Sequence, residues 1–184
     1  MNEIFENFSC KSWLLIDKNK VDSFIKDFSL IKIEENEKWI DADGGDPSNT
    51  LIITGPVGDY VIVEGKLLEN DGKKISEEFS AQHKTLLFNM TIDIWIPYMF
   101  YEVYREGKQI RRIEYDLDLE EGEVSSTESG EKQDFEDNVK YIPDSTVGYD
   151  DFFYPLYLMN SLHIKMSDIM EVMNKSSTLY SINR

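Results

Sequence analysis

The sequence predicts an α+β fold in a single domain, residues 1–184, built mainly on an antiparallel sheet with helices near the N-terminus, in the middle and near the C-terminus. Apolar runs of strand length recur along the chain, several of them separated by turn residues. Two segments instead repeat apolar residues at the three and four spacing of a helix. Between Tyr98 and Leu119, a Gly-containing turn joins two runs of strand composition, the second strictly alternating, which marks adjacent antiparallel strands. A chain of this length suits one hydrophobic core.

Ser12 to Asp17 reads as a short buried strand. A helix follows over Lys18 to Phe28, with Val21, Phe24, Ile25 and Phe28 on one face and Asp17 or Asn19 as its cap. Leu30 to Glu34 alternates like a half-exposed strand, and Asp41 to Asn49 is a loop rich in Gly and Pro. Leu51 to Thr54 and Tyr60 to Glu64 form a hairpin across Gly55-Pro56-Val57-Gly58-Asp59. Lys73 to His83 is a helix packed through Ile75 and Phe79, and Thr85 to Met90 has strand composition.

The strands Tyr98 to Arg105 and Gln109 to Leu119 flank Glu106-Gly107-Lys108. In the second, Ile113, Tyr115, Leu117 and Leu119 alternate with Arg112, Glu114, Asp116 and Asp118, so one face is apolar and the other charged. From about residue 120 to 149 this periodicity vanishes, and the segment reads as a mobile acidic loop. A helix through Phe152, Phe153, Leu156 and Met159 and a last helix capped by Ser167 follow, with Thr178 to Ile182 as an edge strand or a frayed end.

The formal charge is −17, from 19 basic and 36 acidic residues. Glu114 to Asp137 holds eleven acidic residues and only Lys132 as a base, so this stretch alone supplies −10 and leaves −7 elsewhere. Such a charge opposes nucleic acid and anionic membranes and favours a basic protein partner. Two readings of the run compete: a solvated loop that keeps the chain soluble, and a docking surface that steers a basic protein. For the second, the contact residues are Glu120, Glu121, Glu123, Asp134, Glu136 and Asp137.

No run approaches the ~20 apolar residues of a membrane span, so no membrane association is expected. Glu3 and Glu6 stand where a secretory signal needs positive charge, so a cytoplasmic protein is expected. Cys10 is the only cysteine, which excludes an internal disulfide and a thiolate zinc cluster; it is read as a small apolar group beside the first strand. Asp41 to Asp46 resembles the start of a calcium loop, but Gly45 and Ile52 stand where ligands are required. Gly55 to Gly58 lacks the Lys-Ser or Lys-Thr of a phosphate loop. Neither a cofactor nor a metal is expected.

His83 and His163 are the only imidazoles. An enzyme with a site assembled in space around either one is the rival class, and an interaction module that inhibits nothing is a third.

Gly58-Asp59-Tyr60-Val61-Ile62-Val63-Glu64-Gly65, a helix with Ser76 and Phe79, Tyr101 to Tyr104 leading into Arg105-Glu106-Gly107-Lys108-Gln109-Ile110-Arg111-Arg112, and a helix over Ser161 to Glu171 follow one another in order. This arrangement, spanning Trp39 to Val172, resembles uncharacterised bacterial proteins that look like immunity proteins of polymorphic and contact-dependent toxin systems. The resemblance implies a small, acidic, cytoplasmic protein without catalytic apparatus. Its partner would be a cognate toxin, basic and of the nuclease class, neutralised by covering its active or substrate-binding surface.

Overall fold

Trp13-Leu14-Leu15-Ile16 is apolar without interruption because it lies at the centre of a sheet covered on both faces. The computed structural model describes residues 8, 10–37, 49–118, 123–139, 153–175 and 177–182. Among the described residues, nine strands form one sheet: β1 (Cys10–Asp17), β2 (Leu30–Glu37), β3 (Thr50–Thr54), β4 (Tyr60–Glu64), β5 (Leu86–Asp93), β6 (Tyr98–Arg105), β7 (Lys108–Asp118), β8 (Glu123–Gly130) and β9 (Ser177–Ile182). Their order is β2-β9-β3-β4-β1-β5-β6-β7-β8, and neighbouring strands are antiparallel. The fold is α+β in one domain, as its sequence predicts.

Helices α1 (Val21–Asp27) and α2 (Leu67–His83) cover one face, on which Leu14, Ile16, Val61 and Val63 meet Phe24, Leu68, Ile75 and Phe79. Helices α3 (Tyr154–Ser161) and α4 (Met166–Lys175) cover the other, on which Trp13, Leu15, Ile62, Phe88 and Met90 meet Leu156, Leu158, Ile169 and Val172. Each such buried side chain contributes about 1.5–3 kcal/mol.

Several elements differ from expectation. Asp17 does act as a cap, accepting from the Asn19 amide at 2.8 Å, but what it caps is a 3-10 turn over Lys18–Lys20 that leads into α1. Helix α2 starts six residues before Lys73, because Asn70-Asp71-Gly72 looks like a turn yet serves as helix. Gly72 is needed there for close approach: a Cβ on it would stand 2.9 Å from Asn89 Oδ1 of β5. Ser167 lies within the first turn of α4 rather than capping it. β9 is not an edge strand: it is inserted between β2 and β3. Cys10 is the first residue of β1 and is exposed. The 41–48 loop and Phe152 lie outside the described residues.

The largest correction concerns the segment 120–149. Residues 123–130 form β8, paired with β7 from Asp118↔Glu123 to Arg111↔Gly130, and Asp134–Asn138 forms a short 3-10 helix; residues 120–122 and 140–149 lie outside the described residues. An outermost strand needs little apolar content when its partner strand supplies the ladder, so Ser125 to Ser129 pair without burying themselves. Gly130 ends β8 at φ +79°, where a Cβ would sit 2.0 Å from the Ile110 carbonyl oxygen. Gly130→Ala is therefore expected to cost about 3 kcal/mol in urea unfolding, whereas Ser126→Ala stays within about 0.5 kcal/mol.

Candidate interaction surface

The register of β1 and β5 to β8 sets polar side chains in rows on the face that carries α1 and α2. The outermost row is Cys10, Asp93, Tyr98, Asp116 and Ser125; the next is Ser12, Thr91, Phe100, Glu114 and Thr127; the third is Leu14, Asn89, Glu102, Arg112 and Ser129. Helix α2 packs on Asn89 and, at its other end, on the Gly107 turn, but the outer rows stay open. Cys10, Asp116, Ser125, Thr127 and Ser129 are exposed, while Tyr98, Phe100, Arg112 and Glu114 are half-buried.

A polar network fixes this face from beneath. The Glu102 carboxylate is buried, with a side chain 2% exposed. It accepts from Asn89 Nδ2 and from the Tyr104 hydroxyl, both at 2.9 Å, and pairs with Arg112 Nη1. Arg112 also donates from Nε to Glu114 at 3.0 Å and lies 5.2 Å from the centre of the Phe100 ring. Tyr98 donates to the other Glu114 oxygen at 2.7 Å. Burial pushes the Glu114 carboxyl up, but the hydrogen bonds from Tyr98 and Arg112 and the guanidinium charge outweigh it and hold the group below its ordinary value. The four carboxylates of these three rows face a single guanidinium, so the face remains acidic.

Tyr98, Tyr101 and Tyr104 are all held above the ordinary phenol value, first by burial and then by Glu114, Glu136 and Glu102. A raised folded value means stability that is present below the unfolded value near 10 and lost as pH rises above it. Thermal unfolding followed by phenolate absorbance is thus expected to show falling stability from about pH 10 upward. Phenolate from these three tyrosines should accompany unfolding rather than precede it.

The turn joining β5 to β6 contains the most exposed large apolar side chains of the described residues. Trp95 is 79% and Ile96 71% exposed. The turn is held from inside: Asp93 Oδ1 accepts from the Trp95 amide at 2.9 Å and the Ile96 amide at 3.2 Å. The indole is therefore presented from a fixed backbone. Asp93 and Asp116 share the outermost row, and β7 ends and β8 begins at this same end of the sheet. An exposed indole thus stands at the same end of the sheet as these carboxylates.

The expected contact residues fall in different places. Glu120 and Glu121 lie outside the described residues, and Glu123 opens β8. Asp134 and Asp137 are exposed on the 3-10 helix, Asp137 paired with Lys132 at 2.6 Å. Glu136 is a correction: its side chain is 1% exposed. It accepts from Arg111 Nε at 3.1 Å and Nη2 at 3.0 Å, from the Tyr101 hydroxyl at 3.3 Å and from the Gln133 amide at 2.9 Å. Glu136 clasps the short helix to the sheet face under α3 and offers no surface. Arg111 also reaches Glu128 of β8 at 2.7 Å, and Arg112 reaches Glu102 of β6 across the hairpin and Glu114 along its own strand.

His83 Nε2 meets Asp27 Oδ2 at 2.5 Å, with the ring 4.4 Å from Phe79, which ties the end of α2 to that of α1. Cys10 lies at the other end of β5, about 25 Å away by strand length. His163 lies in the turn just after α3, with φ +64° and its carbonyl against Gly58. Among the described residues, no three His, Cys, Asp or Glu side chains are placed to hold a metal, and no helix is long and apolar enough to cross a membrane. Comparison with protein-family models, with curated proteins and with solved structures found no match.

Trp95 and Ile96 escape a reading based on charge. Their signal is the run Ile94-Trp95-Ile96-Pro97, apolar where a reversal between two strands ordinarily carries polar residues.

Proposed function

We propose that the protein binds and neutralises a basic protein, in the manner of the immunity proteins of bacterial toxin systems. Trp95, exposed on the turn that Asp93 holds, carries this reading. Tight interfaces centre on buried aromatic anchors within a polar rim, and Trp is the residue most enriched among them. Here the rim is acidic, with Asp93 and Asp116 beside the anchor and a chain charge of −17 behind it. Such a field accelerates encounter with a basic surface and resembles that of a nucleic-acid backbone. A toxin that acts on nucleic acid, whose substrate-binding cleft is basic, is the partner class that fits.

The test is capture from the source cell on the full chain, at about 0.15 M and about 1 M salt. The captured protein is then expressed in a host with and without this chain. A basic partner is expected, retained less at high salt, whose toxicity the chain relieves. A partner that is not basic, or whose effect on the host is unchanged, contradicts the proposal.

A further inference from the structure

The two edges of the sheet differ in their protection. β2 is broken by register shifts between Lys32 and Glu34 and between Glu35 and Glu37, and it carries Lys32, features that discourage pairing with another chain. β8 has none of these. Its eight residues pair with β7 in unbroken register, Ser125 to Gly130 are exposed, and it contains neither Lys nor Pro. Among the described residues, no strand lies on its outer side. Alternate backbone N–H and C=O groups of such an edge point outward and act as a template for another strand.

Charge selects the occupant. The charged residues of β8 are Glu123 and Glu128, and Glu131 follows at once. The Glu128 carboxylate, with its side chain 56% exposed, shares Arg111 with the buried Glu136. Two carboxylates on one guanidinium leave a negative charge at the edge. A second copy of this strand would set like charges against each other, which disfavours self-pairing.

We infer that β8 is a strand-addition site for an extended, basic segment of the protein partner, with Lys or Arg beside Glu128. This rests on the basic-partner reading and adds the path of the partner's main chain. The added strand would continue the sheet past β8, with its Lys or Arg beside Glu128 on the face that carries Arg111 and its alternate residues beside Thr127 on the open face.

Selection of a displayed library of random decapeptides on the full chain, followed by hydrogen exchange of the best binders' complexes, tests this. The selected peptides should place Lys or Arg at alternate positions and slow exchange of the amides of residues 123–130. Glu128→Lys should weaken them at least tenfold. Ser126→Pro and Thr127→Pro, made singly, address the backbone, since neighbouring amides of a strand point in opposite directions. The one that retains the parent melting temperature should abolish binding. Basic peptides that slow exchange only at the Asp93 to Tyr98 turn overturn strand addition and leave the basic-partner reading standing. A selection that yields no basic-rich peptides overturns both.

Discussion

Trp95→Ala is expected to weaken binding of the basic partner about 30-fold or more, a loss of about 2 kcal/mol or more. The same change should leave the melting temperature within about 2 °C of the parent, because the indole is 79% exposed and buries little on folding. The combination is diagnostic. A residue of the core loses stability when truncated, whereas an anchor waiting for a partner loses only affinity. Asp93→Ala should reproduce part of the effect, since it removes the two hydrogen bonds that hold the Trp95 and Ile96 amides. The binding assay is calorimetry at moderate salt, with thermal unfolding of each variant beside it.

Glu136→Ala is expected to destabilise the fold by about 3–5 kcal/mol in urea unfolding, because it leaves the Arg111 guanidinium buried with only the half-exposed Glu128 to face it. It should also free the Asp134–Asn138 helix, whose N-terminal Gln133 amide bonds to the same carboxylate. If Glu136 were a docking residue, its loss would lower partner affinity and spare stability. The Glu136→Gln variant keeps the shape and separates charge from packing: a smaller loss of stability, with partner binding by the folded fraction unchanged, is the expected outcome.

These two positions show what is legible in a sequence and what is not. The central strands are plain because burial on both faces forces continuous apolar runs at Trp13–Ile16, Leu51–Ile53 and Val61–Val63. The β6–β7 hairpin is plain as well, although its turn is the two residues Glu106 and Gly107, with φ +51° and +76°, and Lys108 is already paired with Arg105 rather than part of the turn. β8 is hidden because an outermost strand takes its order from its partner rather than from its own apolar content. The place of β9 is hidden too, because position within a sheet depends on contacts between distant segments.

At the candidate site, charge density marks the stretch Glu114 to Asp137 but does not separate the buried Glu136 from the exposed Asp134 and Asp137. Glu136 looks like its acidic neighbours until the fold sets Arg111 against it, and a carboxylate so paired is structural. Trp95 carries no charge and so attracts no notice in an acidic chain. Only the fold shows that its run is a turn rather than core. Arg111 and Arg112 are neighbours in sequence yet serve opposite faces of the sheet, one under α3 and the other on the open face, as strand alternation requires.

The most direct test of the account is a titration of the captured partner's own activity with the purified chain. The activity is expected to fall linearly and vanish near one equivalent of chain, while Trp95→Ala needs a large excess for the same effect. Full activity at several equivalents of the parent chain, or equal inhibition by Trp95→Ala, would contradict it.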